Sequence, residues 1–151
     1  MIRLSLPGMA TLLCVGCAAG DPIPAAELLN HPNCTITQAG MQVVSYEEVA
    51  RLRGSTLLNM TTAQVNSGPD AVLIVISNGR QPTPGYRFDL TDAFTVGGIA
   101  TLELRWLVPD EDALQPQMIT YPCIVIGLER NAFNQVRALD EHGNLLGEVF
   151  L

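Results

Sequence analysis

A mainly β domain, a small antiparallel sheet or sandwich with one short helix, is the fold class predicted by three features of the sequence. From residue 71 onward, apolar side chains recur with period two or in short unbroken runs. Thirteen Gly and ten Pro punctuate the chain, and aromatic residues make up only 5%. The apolar fraction of 48% against 15% charged residues is enough for a packed core and argues against a disordered chain. A length of 151 residues fits one domain.

The chain opens on an export signal. Arg3 is followed by an apolar stretch from Leu4 to Val15, too short to span a bilayer, which needs about 20 residues, but suited to a secretory h-region. Cys14–Val15–Gly16–Cys17–Ala18 then resembles a bacterial lipobox, with a small residue before the cysteine that is cleaved and acylated. The position three before it usually holds Leu and here holds Cys14. The resemblance implies a signal at 1–16, lipidation of Cys17, and a lipid-anchored envelope protein. Ala18 points to the outer membrane, facing the periplasm. The alternative is an ordinary secretory signal cut near Ala18 or Ala19.

Removing the signal leaves Cys34 and Cys123 as free thiols once Cys17 is acylated. In an oxidising compartment such a pair reads as a disulfide, and chain entropy alone gives ~4–5 kcal/mol for so long a loop. Free buried thiols or a reactive thiol are the alternatives, although no base adjoins either cysteine in sequence. Residues 17–34 hold Pro22, Pro24 and Pro32 with few large apolar side chains and are expected as a tether, leaving 35–151 as the β-rich domain.

Within that domain, Met41–Val44 is a short strand. Ser45 and Glu48 form a capping box for a helix whose Tyr46, Val49 and Leu52 share a face, with Arg51 and Arg53 in its last turn and Gly54 as its stop. Ser55–Gln64 is ambiguous, and Asn66–Asp70 is a turn. Ala71–Ile76 is apolar throughout, as in a strand covered on both faces. After Asn78–Gly79 and a proline-bearing loop, Tyr86, Phe88 and Leu90 alternate with Arg87, Asp89 and Thr91. Beyond Gly97–Gly98, Leu102, Leu104, Trp106 and Val108 face inward, while Thr101, Glu103 and Arg105 face out until Pro109 ends the strand.

Electrostatics selects the register of these two strands. Phe88 opposite Trp106 places Asp89 against Arg105, whereas a two-residue shift opposes Asp89 to Glu103 and Arg87 to Arg105. A further strand follows Pro122, with Ile124, Ile126 and Leu128 on one face and Cys123 and Val125 on the other. Val136–Leu139 and Leu145–Val149 flank a hairpin turn at Asp140–Asn144.

The chemistry-bearing residues are sparse. All eight basic residues are Arg, so no catalytic Lys exists, and the net charge of −7 disfavours nucleic acid and anionic lipid as partners of a basic surface. His31 falls in the expected tether and His142 in a turn, neither beside a nucleophile, so a hydrolase has no evident base. Asp110–Glu111–Asp112 lacks the ligand spacing of a Ca²⁺ loop and reads as a solvated turn. Asp89 and Glu103 lie on an open sheet face within reach of Arg105 and read as surface ion-pair residues. Phe88 and Trp106 read as core. The reading is a protein that is not an enzyme and uses no metal or cofactor.

The least ordinary segment is Asn78–Tyr86. Prolines fix φ, Gly85 permits unusual angles, and Tyr86 offers a rigid amphipathic ring, so Arg80, Thr83, Pro84, Gly85 and Tyr86 are the candidate partner-binding residues. A plain connector is the alternative. Ala71–Gly79, this loop, the alternating hairpin, Pro109 and Thr120–Ile126 resemble the C-terminal domain of the PrcB family, bacterial lipoproteins named as protease-complex subunits. The family's loop tends to read Thr-Gly-Gly-Tyr, and Pro84 stands at the first of those glycines. The resemblance implies a non-catalytic envelope subunit that binds or stabilises a protease. A second resemblance, of Gln81–Tyr86 to the Asn-Pro-Thr-Thr-Gly-Tyr loop of chagasin-type inhibitors, implies protease inhibition. That reading also requires an Arg-Pro-aromatic loop, which the sequence lacks.

Overall fold

In a computed structural model, residues 20–52, 71–110, 112, 114–130 and 133–151 are described. The expected signal, Cys17, Arg53, Gly54, the ambiguous 55–64 segment, the 66–70 turn and Glu111 lie outside them.

Two sheets face each other. Strands β1 (Asp21–Pro22), β5 (Arg87–Val96), β6 (Ile99–Leu107), β8 (Gln135–Leu139) and β9 (Leu145–Phe150) form one sheet in the order β1-β5-β6-β8-β9. Strands β2 (Ala25–His31), β3 (Ala39–Val44), β4 (Val72–Asn78) and β7 (Cys123–Leu128) form the other, in the order β2-β7-β4-β3. The single described helix, α1, spans Tyr46–Leu52.

The unbroken apolar run of β4 follows from its position. Val72, Ile74 and Ile76 point between the sheets with Ile124, Ile126 and Leu128 of β7, against Phe88, Leu102 and Leu104 of the facing sheet. Leu73 and Val75 point the other way, with Cys123 and Val125, and meet Val49 and Leu52 of α1. The sheet of β4 and β7 is therefore the middle of three layers, and both of its faces are dry. Full burial of an aliphatic side chain contributes about 1.5–3 kcal/mol, so these two strands hold much of the stabilising surface.

The hairpin register is the one that charge complementarity selects. Phe88 pairs with Trp106, Asp89 with Arg105 and Leu90 with Leu104, and Arg105 forms an ion pair with Asp89. A bulge between Leu90 and Asp92 then shifts the register and turns Ala93 into the core. The β8–β9 hairpin also forms, but β8 runs parallel to β6, so the first sheet is not wholly antiparallel.

Four expectations are corrected. Residues 17–34 are not simply a tether, because 21–31 run as β1 and β2, a ribbon that crosses from one sheet to the other at Ile23–Pro24. Ile23 is buried in the inter-sheet core, and Leu29 beneath α1. Tyr46 is exposed, since a helix of two turns reaches the sheet only through Val49 and Leu52. Val108 lies beyond the end of β6 and is also exposed. Thr101 lies on the outer face, as alternation requires, yet is fully buried, and its hydroxyl accepts a hydrogen bond from Arg137 Nε at 2.9 Å.

The start of α1 is fixed by the expected capping box. The Ser45 amide donates to Glu48 Oε2 at 2.7 Å, and the Glu48 amide donates to Ser45 Oγ at 3.2 Å. The backbone bond from Ser45, followed by its side-chain bond and the nearby Arg51, holds the Glu48 carboxyl below its ordinary value of 4.5. A lowered folded pKa contributes stability above the unfolded value and loses it as pH falls through the folded one. In thermal unfolding, the parent is therefore expected to lose its advantage over Glu48→Gln as pH falls from about 7 to about 3.

Candidate protein-interaction site

Gly20, the 97–98 turn and the start of β8 lie at one end of the sandwich, the proximal end. At the distal end the segments 32–38, 79–86, 108–122 and 140–144 connect the strands. The candidate loop is the second of these.

Three chain segments meet beneath the loop. A disulfide joins Cys34 to Cys123 with their Cα atoms 6.0 Å apart. The Cys34 amide donates to the Tyr121 carbonyl at 2.8 Å, and Asn33 bridges Tyr121 in parallel. Gln81 and Thr120 exchange two backbone bonds, of 2.8 and 3.0 Å, and the Thr120 hydroxyl donates to the Thr83 carbonyl at 3.0 Å. Thr120 is buried, so its hydroxyl has lost water and this bond replaces it. The Gln81 side-chain amide closes the loop onto the Asn78 carbonyl at 3.0 Å.

The far side of the loop is fixed by packing. Gly85 has φ of +100°, and a Cβ there would stand 2.8 Å from Pro109 Cβ. The Tyr86 ring stacks on Trp106 at 5.6 Å between centroids, and Trp106 tilts onto Phe88 at 4.7 Å. Phe88 is buried as expected, whereas Trp106, expected in the core, is only half-buried even with Tyr86 stacked on it. The Trp106 amide donates to Glu141 Oε2 at 3.3 Å, which ties the 140–144 turn to the same cluster. Within that turn the Asn144 side chain, together with the Asn144 and His142 amides, holds the Asp140 carboxyl below the usual carboxylate range.

Of the candidate loop residues, Arg80 and Gly85 are exposed while Thr83, Pro84 and Tyr86 are half-buried. The neighbouring 108–122 connection exposes Val108, Leu114, Met118 and Ile119. Below the loop, a cleft of 600 Å³ opens between β2 and β5, lined by Glu27 and Asn30 on one side and by Tyr86, Arg87 and Asp89 on the other. The carboxylates of Glu27 and Asp89 and the guanidinium groups of Arg87 and Arg105 are all among its lining. His31 ends β2, where its Nδ1 accepts the Asn33 amide at 3.1 Å, and His142 is exposed in its turn. Among the described residues, no group of three His, Cys, Asp or Glu is placed to hold a metal ion. No described helix is long and apolar enough to cross a membrane.

The open edge of β5 beside this cleft is blunted against strand addition. Asn30 Nδ2 donates to the Phe88 carbonyl at 2.7 Å, Asp92 Oδ1 accepts the Ala93 amide at 2.8 Å, and the bulge bends the strand between them. The site therefore offers side chains and loops, not a free backbone ladder.

Thr120, Pro109 and Tyr121 are the supports that sequence reasoning did not assign. The adjoining Pro122–Cys123 was visible in the sequence, but nothing in residue spacing pairs Gln81 with Thr120. Residues 72–129, from β4 to just past the end of β7, match the family model described as PrcB C-terminal. No curated protein and no solved structure matches the chain.

Gly85→Ala is expected to cost about 1–3 kcal/mol in urea unfolding, because positive φ and the contact with Pro109 are both violated. Gly97→Ala, at positive φ but facing open space, should cost less.

Proposed function

We propose that this chain, whose residues 72–129 match the PrcB C-terminal family model, is a non-catalytic, lipid-anchored envelope subunit that holds a protease partner through its distal end. The family is one of protease-complex subunits. The observation that carries the reading is the fixation of loop 79–86 from both sides, by Thr120 and by Pro109 and Trp106, while Arg80 and the edge of Tyr86 stay accessible. A loop already held in one conformation loses little entropy on docking. Val108 and Ile119, exposed on the connection bonded to that loop, add apolar surface to it.

The residues have distinct roles. Tyr86 is the anchor, a large ring with few rotamers, and Arg80 supplies a charge at the rim. Thr83 and Pro84 set the loop's shape, and Gly85 allows its close approach to Pro109. Cys17 carries the lipid, and Cys34–Cys123 holds the base of the loop. Inhibition of a papain-like protease is the rival reading. The distal end does gather several loops, but the 108–122 and 140–144 segments contain no Arg-Pro-aromatic sequence.

Pull-down of the full chain from a membrane fraction should bring a protease with it, without loss of that protease's activity. Tyr86→Ala should weaken the association by about tenfold or more and, through the lost stack on Trp106, lower the melting temperature by only a few degrees. Undiminished binding by both Tyr86→Ala and Thr83→Ala would make the loop a mere connector. Micromolar inhibition of a papain-like protease would transfer the case to the rival.

A further inference from the structure

The ribbon formed by residues 21–31 has a consequence for how the domain meets a membrane. Cys17 precedes Gly20 by three residues, which span at most about 10 Å even when fully extended. At Gly20 the chain is already seated on the sheet: there is no room for a Cβ against the Phe94 ring and Val96, and Asp21 pairs with Thr95. An acyl group on Cys17 therefore holds the proximal end of the sandwich at the bilayer surface.

That end carries the fitting surface. Val96, Ile99, Gln135 and Phe150 stand in register on the outer face of the first sheet, a row without a charged side chain at its very tip. Phe150 is 74% exposed, Val96 42% and Leu151 40%, unusual values for large apolar residues. Asn134 binds the row together, donating to the Gly98 carbonyl at 3.1 Å and accepting the Leu151 amide at 3.0 Å. On this face charged side chains begin with the next row, at Arg137 and Glu148, while the exposed Asp21, paired with Thr95, and Glu129 and Arg130, which follow β7, flank the same end. An apolar row flanked by charged side chains suits the boundary between acyl chains and headgroups.

We propose that the Val96–Ile99–Phe150 row, with Leu151, rests on the lipid bilayer and stands the sandwich on end. This rests on the lipid-anchor reading above. β5 has ten residues and rises from this row toward the distal end. At about 3.3 Å per residue, loop 79–86 is then held roughly 30 Å from the lipid, facing a partner and not the membrane.

The test uses the full, acylated chain in vesicles of phosphatidylethanolamine and phosphatidylglycerol, with and without brominated acyl chains. The protein has one Trp, Trp106, near the distal end, and its emission should be unaffected by bromine. Phe150→Trp should add emission of which about half or more is quenched, given insertion by roughly 5–10 Å. Flotation with the vesicles but no quenching at position 150 overturns the apposition and leaves the anchor intact. A blue-shifted yet unquenched indole there assigns the row to a second copy or another protein and also overturns it. Failure to float, with Cys17 unmodified by mass spectrometry, overturns the anchor and the apposition together.

Discussion

The Cys34–Cys123 disulfide and the backbone bonds around it are the constraint from which the distal end takes its shape. Cys123 opens β7, whose following residues are buried on both faces, so it cannot move without disturbing the middle layer. Cys34 follows β2, an edge strand whose pairing is interrupted by a bulge between Glu27 and Leu29. The crosslink therefore transfers rigidity from the best-packed strand to a weakly held one. Tyr121 receives the Cys34 amide, Thr120 bonds Gln81, and the loop carrying Tyr86 is fixed through this short series of contacts. Removing the crosslink would leave Cys34 joined to that series only through its backbone bond to Tyr121.

The order of layers explains the division of labour along the chain. β4 and β7 supply apolar side chains to both faces and serve the core. The outer sheet spends one face on the core and leaves the other for ion pairs and polar contacts, such as Asp89 with Arg105 and Gln135 with Glu148. An exposed pair of this kind contributes about 0–1 kcal/mol, so it sets register more than it stabilises. The two ends differ in character: proline- and glycine-shaped loops emerge distally, and an apolar row lies proximally.

What could be read from the sequence follows the strength of each local signal. The β5–β6 register was legible because alternation put Asp89 and Arg105 on one face, and opposing them avoids the like-charge contacts of the two-residue shift that pairs Asp89 with Glu103. The helix was legible from Ser45 and Glu48, and the doubly buried β4 from its unbroken Val, Leu and Ile. β1 and β2 were not, because Pro22 and Pro24 resemble a linker, although proline is tolerated at strand edges and at the corner where the ribbon changes sheets. The Glu27–Leu29 bulge also breaks the alternation that would have revealed β2. The parallel β6–β8 pair was hidden because it depends on β7 crossing to the other sheet first. For the site, the loop residues were visible individually, yet Trp106 beneath Tyr86 and Thr120 beneath Thr83 come from distant parts of the chain and are joined only by the fold.

Amide hydrogen exchange of the oxidised and the reduced protein tests the crosslink's role most directly. If the disulfide holds the distal clamp, reduction speeds exchange at the Cys34, Gln81 and Thr120 amides while Ile74 and Ile126 stay protected. Unchanged protection at Gln81 and Thr120 after reduction would contradict the account, because the loop would then owe its order to its own hydrogen bonds and packing without the crosslink.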